Sequence, residues 1–535
     1  MMRRKKRVIV AGAGISGLTA GAYILRGGHE LLILEKSAEC GGLVNSFTKE
    51  GFLFDTGPRA IGNAGILTPM LADLCIDLPM VKGEVSTGIK DRIIHYETES
   101  GIDDFLLSLR HLFPECTREL RSIEKRIRSS TRMARILNRV PNPFLTDVFG
   151  DKGFFFKEFL PLMPGFLSAV ARTSLAEESI ETALASISAN RSLNDMISQH
   201  FFKGTPASFA FGYFENFQDY QYPLGGTGRL PESLARFIRA EGGQILTNTE
   251  IVKIHPAEKK LVDQHGSEYP YDYLLWCADL RTLYGRMDAE GLSPNIQRSI
   301  EKEKRKYTSA RTGESVFTMF LAVDEAPEAF GKISKGHFIY TPRIEGLGDL
   351  HRGTLDRIKS DFTKISKQEI LQWLRDFCRY NSYEISIPAL KDRSLAPQDK
   401  TGLVVSLLFD GELFRSVDQA GWYDEFKQEA SECMLESLEE SLYSGLRKKI
   451  LFRETATPLT LMDRFNTTNG AITGWSLEER PPVPRSLLGI TSAPSTAIPC
   501  VYKAGQWSYS PSGVPVAILT GRIAAGAILR TARSS

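Results

Sequence analysis

The stretch Arg7-Val8-Ile9-Val10-Ala11-Gly12-Ala13-Gly14-Ile15-Ser16-Gly17 decides the fold. Residues 7–11 form a short apolar, β-branched run that ends at a glycine, which reads as a buried strand. Residues 17–25 read as a helix and 31–34 as a second strand, so the opening is a βαβ unit. Gly12 allows the tight turn, Gly14 lets a pyrophosphate approach the backbone, and Gly17 lets the helix lie close on the strand. Ile15 and Ser16 open that helix, whose free N–H groups and positive dipole end suit phosphate. Glu35 closes the second strand 18 residues after Gly17. An acid there accepts hydrogen bonds from ribose hydroxyls. The reading is an α/β chain with a Rossmann-like dinucleotide site.

Composition narrows the class. The 535 residues carry 66 Lys+Arg against 64 Asp+Glu, a net charge of +2. That balance argues against a chain built to neutralise nucleic acid, and no nucleic-acid partner is expected. Hydrophobic residues at 42% and charged residues at 24% are ordinary globular values. Seven cysteines without a CxxC pair and eight dispersed histidines give neither a disulfide framework nor a metal site, and point to a reducing, cytoplasmic compartment. The basic run before Val8 mimics a signal peptide, but glycines at 12, 14 and 17 fit a nucleotide-binding strand instead. No stretch reaches the ~18 uninterrupted apolar residues of a membrane span. The nearest, 153–170, is broken by Lys157, Glu158, Pro161 and Pro164.

Three further blocks carry chemistry. After Glu35-Lys36 come Cys40-Gly41-Gly42-Leu43 and then Phe54-Asp55-Thr56-Gly57-Pro58. In mid-chain, Tyr222-Pro223-Leu224-Gly225-Gly226-Thr227-Gly228 precedes a helix with Leu230, Leu234 and Phe237 on one face, then a strand pair carrying Val252. Near the C-terminus stand Tyr502-Lys503-Ala504-Gly505-Gln506-Trp507, then Pro511-Ser512-Gly513-Val514-Pro515. There a strand ends at Gly505 and a helix starts near Val514, with no side chain at Gly513 to block a ring.

These blocks resemble the flavin-binding segments of the flavin amine oxidase superfamily, and within it the phytoene desaturase, carotenoid isomerase and retinol saturase family. The resemblance implies one non-covalent FAD. It implies cofactor contacts at Lys36, Gly41, Gly42, Leu43, Gly57 and Pro58, beside those at Gly12, Gly14, Ile15, Ser16, Gly17 and Glu35. It places the backbone of Val252 against the adenine, and Gly505, Gln506, Gly513, Val514 and Pro515 around the flavin. N–H groups at the last helix start would stabilise negative charge on the reduced ring. Two positions depart from the family pattern. Leu43 stands where many members have Arg, a lack that is familiar from the isomerase and saturase branch, and Gln506 stands where many have Asp.

The implied architecture is two interleaved domains. Residues 1–105, 220–285 and 455–535 form the FAD-binding domain. Residues 106–219 and 286–454 form an α+β substrate domain that includes a helix at 118–139 and β-rich runs at 315–323 and 402–409. The implied activity is desaturation, saturation or cis/trans isomerisation of carbon–carbon double bonds in an isoprenoid or carotenoid-like polyene, with hydride transfer at flavin N5. Arg59 is the one catalytic candidate, with loop bracing as its alternative role. Two other readings stay open: a flavin amine oxidase, for which Trp507 and Tyr509 hint at an aromatic cage, and a prenyl-binding escort protein of the GDP-dissociation-inhibitor type. No second glycine fingerprint provides for NADPH, so a quinone, oxygen or a small carrier is the expected electron partner. The phenylalanines of 153–170, flanked by Arg132, Arg135, Arg139 and Lys152, suggest peripheral contact with the inner face of a membrane and an apolar tunnel running from there to the flavin.

Overall fold

The computed structural model describes residues 5–96, 100–145, 155–165, 167 and 178–534. Its first layer is a parallel sheet built on β1 (Arg7–Ala11) and β2 (Glu30–Leu34), joined by α1 (Ile15–Arg26). The strand order is Gln244–Leu246, β2, β1, Tyr273–Trp276, Val501–Lys503. Val8, Ile9 and Val10 are fully buried. Strands covered on both faces need unbroken apolar runs, which explains the residue choice in β1 and β2.

The final helix, Val514–Ser534, packs beside α1 in one apolar cluster. The contact is close: a Cβ at Gly27 would come within 2.3 Å of Leu529. This helix is long and apolar enough by composition to cross a membrane, with a mean hydropathy of 1.3. The requirement for an uninterrupted run had passed over it because Arg522 interrupts the apolar sequence. Here it serves the core: Ile518, Ala524, Ala525 and Ile528 are fully buried.

The second layer is a seven-stranded sheet ordered Ile450–Ala456, Ser315–Val323, Thr401–Phe409, Tyr383–Ser386, His337–Thr341, Val85–Ile89, Arg92–His95. One face carries Phe317, Met319, Leu321, Leu403, Val405 and Ile385, and forms a core with the helices Lys367–Tyr380 and Tyr423–Ser441. Fully burying such a side chain contributes about 1.5–3 kcal/mol. The hairpin 85–95 corrects the expected domain bounds. It lies within 1–105 yet pairs into this second sheet, through Val85–Ile89 against His337–Thr341. Its alternation marks a hairpin, but nothing in the hairpin names its partner strand.

The helix Thr117–Arg139 buries Leu120, Ile123 and Ile127 and packs against Ala207–Asp219. Between the two sheets lies the hairpin of β3 (Ser46–Lys49) and β4 (Phe52–Asp55). Phe52 and Phe54 stand on Phe320, Ala322 and Val404 of the second sheet. This wedge delivers the loop 56–59 to the seam between the layers.

Candidate active site

A cleft of about 390 Å³ opens at the carboxyl ends of β1, β2 and Tyr273–Trp276, where Ala11, Leu34 and Trp276 line it. In open α/β sheets that is where ligands bind. Gly12 takes φ +101°, a left-handed turn, with Cys277 O 3.2 Å from where a Cβ would stand. Gly17 admits no side chain, since its Cβ would sit 2.0 Å from Gly12 O. Gly14 has open space at that position and caps α1 without any side-chain bond, so a ligand can approach the start of the helix closely. Gly41 N–H donates to Ala13 O at 2.8 Å, which lays the paired glycines beside Gly14. This cradle fits a pyrophosphate.

At one end the Glu35 carboxylate accepts from Ala13 N–H at 2.6 Å and from Ser37 N–H at 2.8 Å. Those bonds lock the glycine turn to β2 and leave lone pairs for ribose hydroxyls. Lys36 Nζ donates to Asp463 O at 3.2 Å, drawing the helix Pro458–Phe465 over this end. Thr249, Glu250 and Ile251 line the cleft here, but Val252 does not, and its side chain is 43% exposed. The register of this strand slips between Ile251 and Lys253, at the residue whose backbone was expected against the adenine.

At the other end, Leu43, Gly57, Pro58 and Arg59 face Gln506, Gly513 and Val514. Gly57 packs on Leu43, where a Cβ would overlap the carbonyl oxygen at 1.7 Å. Gly513 has open space where its side chain would be. Room for a flat ring therefore exists at the start of Val514–Ser534. Gly505 and Pro515 lie just behind the lining: Gly505 rests on Ser16, and Pro515 is near Gly62. Beneath the loop, Asp55 is fully buried and accepts from Ser46 Oγ, Tyr222 OH, Thr227 N–H and Thr227 Oγ1 at 2.7–2.9 Å. The mid-chain glycine block thus holds the 56–59 loop in place.

Arg59 lines the cleft but is only 3% exposed. Its guanidinium donates to Gly57 O and Ser406 Oγ, so it ties the loop to the second sheet. Bracing is its evident task. Sequence reasoning missed three lining acids, Glu250, Asp279 and Glu384, of which Glu250 is paired with Arg286. Asp279 caps the helix Leu280–Gly285 and accepts from Thr468 N–H at 2.8 Å and Thr468 Oγ1 at 2.6 Å; burial raises its pKa. An aspartate directly after an apolar strand was the available signal. The third, Glu384 on Tyr383–Ser386, carries no motif at all. Trp507 lines the cleft, whereas Tyr509 does not; its hydroxyl is used by Arg485 O at 3.0 Å. The described lining does not reach 155–167. The basic residues expected beside that segment divide: Arg135 pairs with Glu215 at 3.0 Å, and Lys152 lies outside the described residues.

A two-lobed α/β chain with a glycine cradle, a ribose acid and an open helix start beyond it is an FAD-dependent oxidoreductase. Residues 15–352 match the model of the family of flavin-containing amine oxidoreductases, and the chain belongs to that family. It is 26% identical to an inactive all-trans-retinol 13,14-reductase of Danio rerio, over 62% of this chain and 56% of that protein. It is 23% identical to prolycopene isomerase 2 of an Oncidium hybrid cultivar, over 96% of this chain and 82% of that one. Identity is also 23% to a 4,4'-diapophytoene desaturase of Staphylococcus aureus, over 97% of both chains. Among solved structures, an oxidoreductase from Methanosarcina mazei shares the fold, with TM-score 0.62 and 15% identity over 96% of this chain and 98% of that one.

Proposed function

We propose that this enzyme acts on carbon–carbon double bonds of an isoprenoid or carotenoid-like polyene, desaturating, saturating or isomerising them. The observation that carries the reading is similarity along 97% of both chains to a desaturase of such a substrate. FAD, when bound, supplies the hydride acceptor or donor. The protein supplies position and dryness. The glycine cradle and Glu35 fix the dinucleotide, and the free N–H groups near Gly513 favour negative charge on the ring. Val316, Leu43 and Trp507 exclude water around the reacting carbons. A quinone, oxygen or a small carrier returns the flavin to its starting state.

A flavin amine oxidase is the second reading, favoured by Glu384, a carboxylate that could pair with a substrate ammonium. Against it, Tyr509, the other half of the expected cage, is turned to Arg485 O, and Trp507 packs edge-on against the buried Trp475 at 4.9 Å between ring centroids. Substrate reaches the enzyme from a bilayer, through peripheral contact at the exposed Phe156, Leu160 and Leu167. Phe159 is not part of that contact surface, since it is buried with Val140. Anaerobic mixing of the oxidised holoenzyme with polyenes in liposomes, and separately with primary amines, tests the reading. Loss of the visible flavin band, or a changed polyene geometry at constant mass, is expected with polyenes only.

A further inference from the structure

Glu384 is the one carboxylate among the described lining residues that comes from the seven-stranded sheet. Its register partners are Ser406 on one side and Ile339 on the other, and Ser406 in turn pairs with Thr318. These residues share one row on the face opposite the apolar core. That row meets the cleft beside Val316 and Arg59, the end away from the ribose acid Glu35. The Glu384 side chain keeps 44% of its surface accessible although protein surrounds it, because it opens into the cleft.

Behind it stand a histidine whose pKa is lowered by burial and two basic side chains, each committed to the protein. His337, 6% exposed, meets Glu384 Oε1 through Nε2 at 3.1 Å. Lys391 Nζ donates to Arg59 O and to Ser386 Oγ, both at 2.7 Å. Arg59 is pinned to Gly57 O and Ser406 Oγ. The charge presented to the cleft is therefore the anion. Burial alone would raise the Glu384 pKa, but the His337 hydrogen bond and the charges of Arg59 and Lys391 prevail and hold it down at about 2.

A bare hydrocarbon gives an ionised carboxylate nothing to bind. A fixed anion does lower the energy of a substrate that becomes positive during reaction. Resting on the reading above, we propose that Glu384 is a catalytic residue that stabilises a cation on the polyene and then takes its proton. In the oxidative direction one C–H bond would break and its electron pair would leave with the hydrogen as hydride, for which FAD held in the glycine cradle would be the acceptor. The neighbouring C–H bond then breaks, its pair becomes the new π bond, and the proton goes to the Glu384 carboxylate. Beside a carbocation that C–H is acidic enough for a weak base. In isomerisation, rotation would take place in the cation left by hydride loss, before the same hydride returned to it. A quinone or oxygen takes the electrons after net oxidation. The substrate class follows: double bonds without a conjugated carbonyl. Reduction of such carbonyl compounds builds up negative charge, which this carboxylate would oppose.

The test uses the full-length holoenzyme with Glu384→Gln. FAD affinity should stay within about threefold, since Glu384 lies away from the ribose and phosphate cradle. The flavin reduction potential, read without substrate, should rise because an anion beside the ring has gone. Anaerobic flavin bleaching by a polyene in liposomes should slow by about 100-fold or more, with the half-saturating concentration little changed. Glu384→Asp keeps the charge but withdraws it by one methylene, and should fall between the two; it carries the test if Gln does not retain FAD. An unchanged potential, an unchanged bleaching rate, or a change in half-saturation alone would overturn the proposal. If wild-type enzyme responds to amines and to no polyene, the functional reading fails first, and this inference with it.

Discussion

Ser16 and Gly505 touch: a Cβ on Gly505 would stand 2.8 Å from Ser16 Oγ, and Gly505 itself holds φ +90°. The first glycine motif and the last flavin block, at opposite ends of the sequence, therefore share one floor beneath the cleft. Gly521 reinforces it, since its Cβ would lie 2.4 Å from Ser16 O.

Gly505→Ala should consequently disturb cofactor and fold together. The substitution combines left-handed strain with a clash, a cost of about 1–3 kcal/mol. A lowered ratio of bound FAD to protein, with a lowered melting temperature, is expected; full FAD occupancy would show that the floor does not carry the flavin end.

Glu35→Ala removes the acceptor of Ala13 and Ser37 N–H along with the ribose contact. FAD should bind more weakly by about 1–3 kcal/mol, roughly five- to 150-fold in Kd. Fluorescence titration of the apoprotein measures it, and an unchanged Kd would mean that Glu35 serves only the turn.

Tyr222→Phe takes one hydrogen bond from the buried Asp55 carboxylate. A stability loss of about 1.5–3 kcal/mol is expected in denaturant unfolding, as for hydrogen bonds to charged groups. FAD affinity should move less than for Glu35→Ala, because Asp55 reaches the cofactor only through the 56–59 loop.

Lys503 gives a pH signature. Burial pushes its pKa down to about 8, with Lys306 adding to this and Glu303 opposing, while its Nζ donates to Tyr307 OH at 2.6 Å. Unfolding restores an ordinary lysine, so between pH 8 and about 10 the unfolded chain holds more protons and folding stability rises with pH. Below pH 8 the burial penalty is fully present. Relative to Lys503→Met, wild type should gain up to about 1.4 kcal/mol per pH unit across that window. A flat difference would show that Lys503 stays charged.

At the membrane surface, Phe156→Ser with Leu160→Ser should reduce liposome binding and leave FAD content intact. Equal liposome binding would remove this segment from the account.

The glycine motifs were legible because each answers a local backbone demand: a turn at Gly12, a close approach at Gly17, an open helix start at Gly14 and Gly513. Strand 315–323 was legible through its composition, and its bounds coincide with the structure. What could not be read locally was partnership. The hairpin 85–95 joins a distant sheet. Glu384 stands in a four-residue strand whose meaning comes only from Arg59, His337 and Lys391, brought to it from other strands and loops. Arg59 was seen, but its role depends on Ser406, far along the chain.

The central claim is that the flavin meets a carbon–carbon bond. Anaerobic incubation of the oxidised holoenzyme with long isoprenoid polyenes in liposomes, followed by mass and retention analysis of the extracted lipid, tests it most directly. The account predicts a polyene changed by two hydrogens in mass with the flavin band altered in step, or a shifted retention at constant mass. Unaltered polyenes, together with flavin bleaching and aldehyde formation from an amine, would contradict it.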